Sequence, residues 1–91
     1  MMYYTVVPIE NDGKVRRKCQ EIQEEDETFR FKIDKKGYGS YLKVESKTYD
    51  QAQQRGQWLL NKCDYIKEQD TYYWVEDEDG NTIKPGDRDG C

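Results

Sequence analysis

The chain has 91 residues, the length of one domain with room for one modest core. Hydrophobic residues make up 34% and charged residues 37%, and the net charge is −4, which argues against a chain-wide nucleic-acid binder. The start lacks the regions of a signal peptide and no apolar run reaches membrane-spanning length, so a cytoplasmic protein with no membrane contact is expected.

Tyr3 to Ile9 is rich in β-branched and aromatic residues and predicts a strand, with Pro8 marking an edge or an end. Asn11-Asp12-Gly13 reads as a turn. In residues 14–25, Val15, Cys19 and Ile22 have the spacing of a helix face. The charges oppose that reading. Lys14, Arg16, Arg17 and Lys18 would stand at the helix N-terminus, and Glu21, Glu24 and Glu25 at its C-terminus, both against the macrodipole. A strand paired back on the first through Asp12-Gly13 is therefore expected.

Thr28 to Asp34 alternates with period two, Phe29, Phe31 and Ile33 to one side and Arg30 and Lys32 to the other. Lys35 to Gly39 is a turn, and Ser40 to Glu45 a further strand with Leu42 and Val44 inward and Tyr41 and Lys43 outward.

A helix is predicted over about 48–63. Thr48 and Gln51 form a Thr-x-x-Gln capping box. Ala52, Gly56, Leu59, Leu60 and Cys63 fall on one face, and Gly56 there suggests close approach to the sheet. Trp58 lies about 145° from the centre of that face, beside Gln51, Gln54 and Asn61. Tyr65-Ile66-Lys67 suggests a short strand, Thr71 to Glu76 a further one, Asp79-Gly80-Asn81 a hairpin turn and Thr82 to Lys84 its return. Residues 85–91 have nothing apolar to bury and read as a flexible tail after a single domain spanning 1–84. The fold class is α+β: a mostly antiparallel sheet of four to six strands, one helix on one face, and a solvated second face carrying Arg30, Lys32, Tyr41 and Lys43.

Catalytic patterns are wanting. There is no histidine, so Cys19 or Cys63 would lack the usual base, and three widely spaced cysteines form no disulfide framework or zinc pair. Asp77, Asp79 and Asn81 match the start of a calcium loop, but Thr82 stands where glycine is needed and Arg88 where glutamate is needed. Gly37-Tyr38-Gly39 joins two strands and so lacks the helix that a phosphate cradle requires. A non-enzymatic protein without cofactor or metal is expected.

Two surfaces remain. Trp58 with Gln51, Gln54 and Arg55 forms a candidate protein contact, weighed against a Trp58 covered by a loop. Residues 1–47 hold ten Lys/Arg against nine Asp/Glu, and residues 48–91 five against ten. The acid is densest at Glu76, Asp77, Glu78 and Asp79, a solvated hairpin that could meet a basic partner. The alternative is nucleic-acid binding by Arg30, Lys32, Tyr41 and Lys43, against the ordinary presence of cations on a wet strand face. A structural subunit of a virion or other assembly is a third.

From Ser40 to Lys84 the outline, carried by Glu45, Ser46, Thr48, Ala52, Trp74, Asp79 and Gly80, resembles small phage-encoded host-takeover proteins, among them some anti-CRISPR proteins and RNA-polymerase inhibitors. These are capping and turn residues over about half the chain. The resemblance implies a viral protein that binds or occludes a host macromolecule, and it assigns no functional residue.

Overall fold

The computed structural model describes residues 2–10, 12–62 and 72–83. The expected strand at Tyr65–Lys67, the tail 85–91, Cys63 and Cys91 lie outside them. The elements run β1 (Tyr3–Ile9), α1 (Asp12–Glu25), β2 (Phe31–Lys36), β3 (Gly39–Ser46), α2 (Tyr49–Lys62), β4 (Trp74–Asp77) and β5 (Thr82–Ile83).

All pairings are antiparallel, in the order β2-β3-β1-β4-β5. Because β3 lies between β1 and β2, the β1-α1-β2 unit joins parallel strands across one neighbour. The β3-α2-β4 unit does the same around β1. This is the split βαβ arrangement, extended by a short hairpin strand. The expected α+β sheet is present with five strands, and it carries two helices rather than one.

The second helix corrects the reading of residues 14–25. They form α1, not a strand, and Asp12-Gly13 begins that helix instead of closing a hairpin. Val15 and Cys19 are fully buried and Ile22 packs beside them, joining Val7, Ile9, Phe29, Leu42, Val44 and Leu59 in the main core. Burying a side chain of this size stabilises by about 1.5–3 kcal/mol. An opposed helix end costs only about 0.3–1 kcal/mol, so packing wins. The α1 N-terminus is tied down by Asp12, which accepts from Ser40 Oγ at 3.0 Å and pairs with Lys35 at 3.4 Å.

The strand alternation holds in β2 and β3. Leu42 and Val44 are fully buried, and they face Ile33 and Phe31 across the ladder. Gly37 turns the hairpin at φ +60°. Asp26 accepts from the Thr28 amide at 3.0 Å and the Thr28 hydroxyl at 2.6 Å. This turn after α1 delivers Phe29 into the core. The Thr28 hydroxyl and amide bonds, helped by the charge of Arg55, hold the Asp26 carboxyl below its ordinary pKa.

The α2 cap forms largely as expected. The Gln51 amide donates to Thr48 Oγ1 at 3.1 Å, while the Gln51 side chain accepts from the Lys47 amide, one residue earlier than the capping box requires. Ala52, Gly56 and Leu59 face the sheet, and the buried Thr5 hydroxyl donates to the Ala52 carbonyl at 2.6 Å. Both helices therefore cover one face of the sheet. No helix among the described residues is long and apolar enough to cross a membrane.

Gly56 lies directly against the Tyr73 ring, and a Cβ there would stand well inside van der Waals distance of it. Tyr73 is further held by its hydroxyl, which donates to Gln53. Gly56→Ala should gain about 1 kcal/mol of helix propensity and lose about 1–3 kcal/mol to overpacking. Urea unfolding is expected to show net destabilisation. Unchanged or increased stability would mean that the ring is not seated against α2.

Candidate interaction surfaces

On α2, Gln51, Gln54, Arg55 and Trp58 form one stripe at helical spacing. Gln51 and Gln54 are exposed, Arg55 is half-buried, and Trp58 retains 38% of its accessible surface. Trp58 is thus partly exposed, on the side of α2 that its periodicity implies. The Arg55 guanidinium lies 5.0 Å from the Phe29 ring centroid and 5.6 Å from that of Trp58. It is held between a core ring and a surface ring, a cation–π arrangement on both sides. Arg55 also borders a groove of about 860 Å³ whose walls include Arg30, Glu45, Lys47, Gln51 and Gln54. No carboxylate among the described residues pairs with Arg55, Arg30 or Lys47.

The acidic hairpin is not the uniformly solvated cluster that its sequence suggests. Glu76 is in β4, where its Oε1 accepts from Lys43 at 3.2 Å and its Oε2 from the Trp74 indole at 2.8 Å. Asp77 accepts from the Asp79 and Asn81 amides, both at 2.9 Å, and so shapes its own turn around Gly80 at φ +88°. Glu78 accepts from the Met2 amide. Only Asp79 of the four has a carboxylate with no partner among the described residues. Glu76 and Asp77 therefore spend carboxylate oxygens on bonds within the domain.

The face of the sheet opposite the helices carries Lys32, Tyr41 and Lys43, as expected. Arg30 lies just ahead of β2 and reaches the groove. The expectation of a simply solvated face fails. Val6 lies between Lys43 and Trp74 in the strand registers and is only 1% exposed. Tyr41 and Trp74 meet edge to face at 6.0 Å, Tyr72 tilts against Trp74 at 5.7 Å, and Lys32 lies 5.4 Å over the Tyr4 ring. Of these aromatics, Tyr41 is the one whose place on this face is expected from the sequence. The period-two parity of Tyr4, Val6 and Pro8 held the missing signal. It is masked because β1 is a central strand, with Val6 and Val7 both buried on opposite faces.

Lys43 is the hub of this face. It pairs with Asp34 at 3.4 Å and with Glu76 at 3.2 Å, and its side chain is 13% exposed. Burial pulls its pKa down, but the hydrogen bonds and charges of Glu76 and Asp34 outweigh this, so it stands above the ordinary lysine value.

No protein-family model, curated protein or solved structure matches the chain.

Lys43→Met removes the shared cation from two carboxylates. It should destabilise the fold by about 1–3 kcal/mol near neutral pH. The raised pKa fixes the sign. The contribution is complete below the ordinary value of 10.5 and is lost as pH rises through the higher folded value. From neutral pH upward, the stability gap between wild type and variant, followed by urea unfolding, should thus narrow at strongly alkaline pH. A gap that is constant there, or absent at pH 7, contradicts the assignment.

Proposed function

We propose that the protein is a non-enzymatic binding module that docks a protein partner through the outward stripe of α2. The observation that carries this reading is Arg55 fixed between Phe29 and the exposed Trp58. Tryptophan and arginine are the residues most often found to dominate interface energetics. A guanidinium already held by two rings loses less freedom on binding, and its edge remains able to donate to a carboxylate or carbonyl. Gln51 and Gln54 beside the groove supply the polar surround, and Glu78 and Asp79 supply rim charge that speeds encounter with a basic partner at low salt. The resemblance of residues 40–84 to phage host-takeover proteins, read from the sequence pattern, makes occlusion of a host macromolecule the form of binding we favour.

A second reading uses the opposite face. Tyr4 on β1, Tyr41 on β3 and Trp74 on β4, with the 64% exposed Tyr72, resemble the stacking platforms of single-strand binders. Asp34, Glu45 and Glu76 interrupt that face, and Lys43 is already neutralised, so its electrostatics favour a polyanion far less than its aromatics do.

The two readings separate by substitution. Immobilised wild type, Trp58→Ala and Tyr72→Ala are compared for the macromolecules they retain from host lysate, with the melting temperature of each recorded. A protein retained by wild type and Tyr72→Ala and lost at least about tenfold in Trp58→Ala, at unchanged stability, is the expected result. Retention of nucleic acid at low salt that is lost in Tyr72→Ala instead establishes the second reading. A Trp58→Ala variant that fails to fold makes Trp58 a core residue and removes the first.

A further inference from the structure

The geometry points to the outer edge of β2 as a strand-addition site for an extended acidic peptide. This surface adjoins the α2 stripe at Arg30 but does not depend on the reading proposed for it. β2 ends the sheet, and among the described residues no strand lies beyond it. The Glu45 amide donates to the Arg30 carbonyl at 3.0 Å, and residues 30 and 45 are in the register that pairs Phe31 with Val44. In an antiparallel ladder, hydrogen-bonded and non-bonded pairs alternate. The pairs 32/43, 34/41 and 36/39 therefore bond inward. Phe31, Ile33 and Lys35 are left with their N–H and C=O groups pointing away from the sheet, a row about 14 Å long by strand rise. No proline or bulge interrupts this row. It is the backbone template on which an added strand forms.

The side chains along the edge select what is added. Residues 30–36 hold Arg30, Lys32, Lys35 and Lys36 against a single acid, Asp34, whose carboxylate is already paired with Lys43. Lys35 meets Asp12 on the helix side. Arg30, Lys32 and Lys36 are exposed, share one parity, and have no ion-pair partner among the described residues. A second copy of this chain would bring two such cationic rows together and be repelled, which is how lysine-lined edges resist self-association. A strand with Asp or Glu at every second residue would place its acids opposite these cations. Each cross-strand pair would then favour binding, and like-charged strands would be rejected. The occupant is thus an acidic extended segment of another protein.

The test is an NMR titration of the full ¹⁵N-labelled chain with a capped eight-residue peptide of alternating Glu and Val, and with its Lys-Val counterpart. Saturable binding of the acidic peptide is expected, with amide exchange at Phe31, Ile33 and Lys35 slowed at least about tenfold and affinity falling as salt is raised. The Lys-Val peptide should not bind. Lys35→Pro removes one outward N–H at a position where an edge strand tolerates proline, and should weaken binding at least about fivefold. If that variant disturbs the hairpin, the double change Lys32→Glu and Lys36→Glu leaves the ladder intact and should exchange the preference between the two peptides. No binding at about millimolar peptide, protection elsewhere than the β2 edge, or equal affinity for both peptides overturns the proposal.

Discussion

The Lys43 ammonium, bridging Asp34 on β2 and Glu76 on β4, is the interaction on which one whole face of this protein depends. Both crossover helices pack on the other face, so among the described residues it is side chains that close this one. Lys43 stands on β3 and reaches both ways along the sheet. Its partner Glu76 uses its second oxygen to fix the Trp74 indole, and Trp74 in turn meets Tyr41. The chain Asp34–Lys43–Glu76–Trp74–Tyr41 thus spans four strands over Val6, which would otherwise be an exposed valine in a central strand. A sheet with 34% hydrophobic sequence to draw on cannot supply two apolar layers. It substitutes an aromatic and ionic lid whose polar atoms satisfy one another.

This closure shapes what is left for recognition. Of the cations that the sequence offers to a nucleic acid, Lys43 is taken up in holding the sheet together, while Arg30 and Lys32 stay exposed with no ion pair among the described residues. Arg55 shows the contrast with Lys43. Lys43 faces two carboxylates, whereas Arg55 lies against two rings and has no ion pair among the described residues. Arg55 thus sits against the partly exposed Trp58 ring, with the charge of Asp26 near enough to be felt.

Local pattern made much of this readable from the residues alone. The period-two alternation of Phe29, Phe31 and Ile33 and of Leu42 and Val44, the Thr48 and Gln51 cap, the close approach at Gly56 and the outward turn of Trp58 all follow from the chain without tertiary information. What escaped depended on competition between terms or on partners distant in sequence. For residues 14–25, charge order outweighed the spacing of Val15, Cys19 and Ile22, although apolar burial is the larger energy. For the acidic run, adjacency in sequence suggested one solvated cluster. The pleat turns Glu76 onto the sheet toward Lys43, 33 residues away, and turns Asp77 into its own hairpin. Tyr4 and Trp74 went unrecognised as face residues because strands apolar on both sides show no alternation to read.

The two indoles differ: Trp74 is locked by a hydrogen bond within the lid, and Trp58 is partly exposed on α2. Hydrogen exchange of the two indole N–H groups, resolved by NMR in the isolated protein, tests this directly. Exchange at Trp58 close to that of a free indole, with Trp74 slowed about tenfold or more, is the predicted result. Equal rates, or a protected Trp58 beside a freely exchanging Trp74, would contradict both the lid and the open docking stripe.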